Sequence, residues 1–164
     1  MTPKHSDPVL ELMAKVHITY GVERLVRVLP IQAQVASFVH PIITESMLEA
    51  FLVHLRSLAD FVVSPTKPRH KLDVAAEDYY DGAWPGQPDA LFGENREEHL
   101  ESMDQLHRRL AHISVQRAST EDFVWTHAVA DWLPALIHEL QRFISGLTPE
   151  RRAWFSQAEA LLGQ

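Results

Sequence analysis

Arg108 and His112 stand one helical turn apart in the run His107-Arg108-Arg109-Leu110-Ala111-His112-Ile113-Ser114. An imidazole can take or give a proton near neutral pH, and a guanidinium steadies phosphate charge. Metal-independent RNA cleavage needs those two capacities: a base for the 2′-hydroxyl and a cation for the scissile phosphate. Basic residues in the last turn of a helix also complement its dipole, which is the purely structural role for the same pair. A second polar set lies upstream. Glu49, Arg56 and Asp60 fall within a narrow arc of one helix, and Arg56 and Asp60 are one turn apart and able to pair. Facing a cleft, Arg56 would bind an anion while Glu49 or Asp60 handled a proton. Facing water, the same arc is a solvated edge. His54 points the other way, toward Met47, Phe51, Leu58 and Phe61, as a core histidine in need of a hydrogen-bond partner.

Several chemistries are excluded or disfavoured. Cysteine is absent, so thiol nucleophiles, redox thiols and thiolate zinc sites are impossible. Ten histidines are available, but no two are spaced four apart as ligand pairs on one helix face. Glu49, His54, His107, His127 and His138 would converge only through tertiary packing, and no metal or other cofactor is expected. Serine-nucleophile motifs, phosphate-cradling glycine loops and dinucleotide fingerprints do not occur.

The elements that must position these residues follow from periodicity. The 164 residues, 46% of them hydrophobic and 23% charged, suit one soluble globular domain. Asp7-Pro8 reads as an N-cap followed by Pro at the first helical position. Val9, Leu12, Met13, Val16 and Tyr20 recur at helical spacing, and Val22, Leu25, Val26 and Leu29 form a second stripe on a rotated face. A kink or break near Gly21 is expected, an end at Pro30, and a short helix over Ile31 to Val39. Ile42 to Val63 is apolar around most of its circumference and should be the central helix. A stretch rich in Pro and aromatic residues follows it. There Tyr79, Tyr80 and Trp84 are expected to pack across the bundle as a lid, with a short helical turn near Val74–Tyr80. Glu94 to Ser114, Trp125 to Leu147 and a short helix begun by Thr148-Pro149-Glu150 complete the chain. The expected fold is all-α, an antiparallel helical bundle of four to five main helices. It divides into a helical extension over 1–40, a bundle core over 41–147 and a C-terminal helix over 148–164.

The formal charge is −7. Ten acids lie between Asp73 and Asp104 against the single base Arg96, with basic clusters on either side. The net balance does not favour nucleic acid as the main partner. The first residues lack the order of an export signal, and the richest apolar window, Ile42 to Val63, is interrupted by charge. No membrane association is expected, and a cytoplasmic location is.

The run from Leu48 to Phe61, with Glu49, Phe51, Leu52, His54, Arg56 and Leu58, resembles a helix in uncharacterised small bacterial helical proteins. The loop Asp73-Val74-Ala75-Ala76-Glu77-Asp78-Tyr79-Tyr80 and the later Leu110-Ala111-His112-Ile113-Ser114, then Arg117, are similar to that group's next two motifs and stand in the same order. The resemblance covers about residues 45–147. The group is similar in turn to HEPN-like helical domains, whose ribonucleases carry Arg and His at a dimer interface. Here only three residues separate Arg108 from His112, and Gln105 stands where a longer-spaced Arg would be expected. The resemblance therefore implies first a non-catalytic interaction or regulatory module, a homodimer with a possible protein partner. Its recognition surface would be Glu49, Arg56, Asp60, Tyr79, Tyr80 and Trp84. The alternative it implies is a HEPN-like endoribonuclease of toxin or phage-defence type using Arg108 and His112, with Arg117 on the phosphate and RNA as substrate.

Overall fold

The computed structural model describes residues 5–62, 73–81, 84 and 132–163. Among them every regular element is helical, and the architecture is the expected all-α bundle. The chain opens with α1, Asp7–Leu12, one residue off the expected cap, since Ser6 is the N-cap and Asp7 and Pro8 already belong to the first turn. A π-helical stretch, Met13–Ile18, continues directly into α2, Thr19–Val35. A short turn leads to α3, Pro41–Val62. Pro41 suits a first helical position because its missing N–H is an orphan there anyway, and His40 Nδ1 accepts from the Ile42 N–H at 3.2 Å.

The first helix corrects the sequence reading in two places. It neither breaks at Gly21 nor ends at Pro30; α2 runs through both. The irregularity lies upstream, in the π-helical turns. Four residues overshoot an α-helical turn by about 40°, so a stripe at every fourth residue would drift around a plain α-helix. The wider π turns hold it straight. Leu10, Ala14, Ile18 and Val22 thereby form one buried line, continued by Leu25 and Val28. The buried Thr19 hydroxyl donates to the Ala14 carbonyl at 2.8 Å within this stretch. Val9, Leu12 and Val16 are about half exposed on the other side of this continuous helix, and Tyr20 lies at the rim of the α2–α3 contact. Gly21 is buried against Leu58 of α3, where a Cβ would lie 3.4 Å from that side chain, an ordinary van der Waals distance.

The second layer is α4, Leu133–Ser145, then α5, Pro149–Ala153, and α6, Ser156–Leu162. Pro134 is tolerated in α4 because it sits in the first turn. Thr148 caps α5 and Pro149 begins it, as the sequence indicated. α3 packs on α2 and α4, and α6 on both α2 and α4. One core runs through all of them, from Leu10 and Val22 through Phe51, Leu55 and Phe61 to Leu140, Phe143, Phe155 and Leu161.

The aromatic segment joins these layers. A single 3-10 turn covers Ala76–Tyr79, where a helical turn was expected, with Asp78 accepting from the Ala75 N–H at 2.8 Å. Three aromatic side chains from this segment then each donate to a backbone carbonyl of a different helix. Tyr79 bonds Leu10 of α1 at 2.9 Å, Tyr80 bonds Phe143 of α4 at 2.6 Å, and the Trp84 indole bonds Val62 at the end of α3 at 3.1 Å. Tyr79 buries its ring fully and Tyr80 and Trp84 bury theirs in part, while each polar end stays satisfied. Gly146 makes room for Tyr80, since a Cβ there would come within 2.6 Å of its hydroxyl.

Candidate recognition surface

The arc on α3 is real, and part of it is paired. Arg56 and Asp60 form the expected ion pair at 3.5 Å, with Arg56 one-third exposed and Asp60 more open. Glu49 lies exposed two turns earlier. Tyr79, Tyr80 and Trp84 gather instead around Phe143, with ring centroids 5.7, 5.9 and 5.6 Å from it. Tyr79 is 1% exposed and also packs edge-on against Phe155 at 5.2 Å. Burial raises the pKa of both phenols, Tyr80 to about 12, so both hydroxyls are protonated donors at neutral pH. The segment crosses the bundle as expected, with Tyr79 turned into the core. Arg108, His112 and Arg117 lie outside the described residues, as does His107.

His54 is half-buried at the rim of the α2–α3 contact. Its ring meets Tyr20 edge-on at 5.3 Å, and the Arg24 guanidinium lies 4.8 Å over the same Tyr20 ring. Burial first, and the Arg24 charge second, lower the His54 pKa below its ordinary 6.5. The unfolded chain therefore binds a proton at this site more readily than the folded one. Stability contributed here is complete above pH 6.5 and is lost as pH falls from 6.5 through the lower folded value. Urea unfolding at a series of pH values should show a His54→Gln variant losing less stability than wild type on acidification. Equal losses would mean that His54 is not a source of the acid sensitivity.

Two polar features escaped the sequence reading. Glu139 is buried on α4 and receives Arg142 at 2.9 Å, while Arg142 also stacks 5.3 Å over Trp84. Their three-residue spacing was visible, but the burial was not. Arg151, mostly buried, donates to the Tyr79 carbonyl at 2.7 Å and pairs with Asp7 at 3.3 Å and Asp81 at 3.2 Å. A cleft of about 470 Å³ runs between α4 and α6, past His138, Gln141, Ser145 and Gly163. Gln141 there donates to the Leu162 carbonyl, and Glu159 is held by Arg152, whose hydrogen bonds keep its carboxyl below the ordinary range. Among the described residues no three His, Asp or Glu side chains converge as ligands for an ion, and no helix is long and apolar enough to cross a membrane.

Apolar exposure is concentrated elsewhere. Every large hydrophobic side chain exposed among the described residues belongs to the first three helices, the π-helical stretch or the turn at their tip. Leu12 is 57%, Val16 49% and Tyr20 46% exposed along the outer face, and Phe38 is 86% and Ile42 61% exposed at the tip, with Ile31 and Ile43 beside them. The sequence carried one signal of this tip: residues 28–44 contain no Asp, Glu, Lys or Arg in a chain that is 23% charged. The described residues thus form an all-α bundle whose aromatic segment is used for packing and whose exposed large apolar side chains lie on its N-terminal helical hairpin. No family model matches the chain, and no curated protein or solved structure does either.

Proposed function

We propose that this chain is a non-catalytic helical interaction module that docks through the outer face and tip of its N-terminal hairpin. One observation carries this reading. Among the described residues every exposed large apolar side chain lies on that hairpin, and apolar surface gathered in one region marks interaction sites. The arc of Glu49, Arg56 and Asp60 lies on α3 of the same hairpin and supplies polar groups to its surface. Kinship with HEPN domains is not required for such a role.

The experiment places a photo-crosslinking phenylalanine analogue at position 38 in the producing cell. A discrete adduct with one protein, abolished by Ile42→Asp, is the expected result. RNA incubated with purified protein in EDTA should stay intact. Absence of any adduct would overturn the proposal. So would RNA cleavage that disappears in both Arg108→Ala and His112→Ala variants, because it would make the chain a metal-independent nuclease.

A further inference from the structure

We infer that the cleft between α4 and α6 binds a primary alkylammonium, a linear apolar chain that ends in a charged amine. Its described lining belongs to α4, α6 and the Gly163 cap and none of it to the N-terminal hairpin, so the inference goes beyond the interaction-module reading and does not rest on it. The volume, about 470 Å³, is in the range of small-molecule sites. The first observation concerns hydrogen-bonding groups. Gln141 and Ser145 stand one turn apart on α4, and both line the cleft. The Gln141 amide donates to the Leu162 carbonyl at 2.8 Å, and the Ser145 hydroxyl donates to the Arg142 carbonyl at 3.0 Å. Among the described residues neither Gln141 Oε1 nor Ser145 Oγ accepts a hydrogen bond. From α6, Glu159 adds a carboxylate that Arg152 holds below its ordinary pKa. These three groups are acceptors. An ammonium is their complement, with three donors and no acceptor.

The second observation selects the sign of the ligand's charge. The two arginines at the cleft each have an acid of their own. Arg142 pairs with Glu139 at 2.9 Å, and Arg152 pairs with Glu159. Those charges cancel in pairs. What remains is the partial negative charge carried by the C-terminal ends of helices. α4 ends at Ser145 and α6 at Leu162, both in the lining, and α6 has no basic residue in its last turn. A carboxylate or phosphate would be repelled by these ends, whereas an ammonium is drawn to them. Ile144 and Leu162, both nearly buried, supply an apolar floor for the chain behind the amine.

Heteronuclear NMR titration of the full chain tests this, with hexylamine as the probe and hexanoate and hexanol as probes of equal chain length. Hexylamine should shift the backbone amides of Ser145 and Gly163 and the side-chain amide of Gln141 saturably, with a Kd on the order of 1 mM for so small a ligand. Hexanoate and hexanol should each bind roughly tenfold more weakly or not at all. Ser145→Lys, at an exposed position, brings a cation of the chain's own to the cleft and should abolish saturation. Ser145→Asp should tighten binding several-fold. Ser46→Lys, exposed on α3, changes the net charge equally and should leave the Kd within about twofold of wild type, because solvent and salt screen a distant charge. Nα-Acetyllysine methylamide carries the same amine on a peptide unit. Binding as tight as that of hexylamine assigns the cleft to a lysine side chain of a partner, and weaker binding assigns it to a free amine; either upholds the site. The inference is overturned if hexylamine gives no saturable shift at about 20 mM. It is also overturned if hexanoate or hexanol binds as tightly as hexylamine, or if Ser46→Lys weakens binding as much as Ser145→Lys. None of these results touches the crosslink at position 38, so this inference can fail while the module reading stands.

Discussion

Replacing Tyr79 by alanine should cost about 3–5 kcal/mol of folding stability, the range for removing a fully buried aromatic side chain. The ring is 1% exposed and lies among Phe61, Phe143 and Phe155, with centroids 6.0, 5.7 and 5.2 Å away. Its hydroxyl reaches the Leu10 carbonyl at the start of the first helix. Alanine there leaves a cavity where α1, α3, α4 and the head of α6 at Phe155 meet around one ring. Phenylalanine keeps the ring and removes only the hydrogen bond, so Tyr79→Phe should cost about 0.5–1.5 kcal/mol. Urea denaturation of both variants measures the difference. A Tyr79→Ala protein as stable as wild type would return this residue to the surface role that the sequence reading gave it.

Arg151→Ala should be the next most damaging change, at about 2–4 kcal/mol, through loss of a mostly buried hydrogen-bonded network. Its guanidinium gathers the Tyr79 carbonyl, Asp7 at the head of α1 and Asp81 after the 3-10 turn. Three segments far apart in sequence therefore meet on one side chain. The two carboxylates are exposed and contribute modestly. The larger part is the charge-assisted bond to the Tyr79 carbonyl, made by a group only 14% exposed. Lysine keeps the charge but not the planar fork, so Arg151→Lys should recover less than half of the loss. Hydrogen exchange should show the damage first at residues 7–12 and 76–81, where the bonds are lost. Uniform loss of protection across the chain would contradict a local clamp.

The candidate surface was legible in fragments. Arg56 and Asp60 paired as their spacing required, because an i,i+4 contact is local. Tyr79, Tyr80 and Trp84 were seen to be too apolar for water, yet whether such rings cover a cleft or fill a core depends on the space between helices. Phe143 and Phe155, far along the chain, decide that. The stripe of Val9, Leu12, Met13, Val16 and Tyr20 is legible as a periodicity, but periodicity names no side, and Val9, Leu12, Val16 and Tyr20 prove about half exposed.

What the sequence determined by itself was what short-range forces fix: helical fold class, the central helix within one residue of its start at Pro41, the cap at Thr148, the turn before Tyr80 and the neutral stretch 28–44. Tertiary structure alone decided which of two apolar stripes faces inward on the first helix. Periodicity counts residues per turn but carries no sign for inside and outside when both faces are apolar. The choice fell to tertiary packing, which buries the line of Leu10, Ala14, Ile18 and Val22 and leaves Leu12 and Val16 about half exposed.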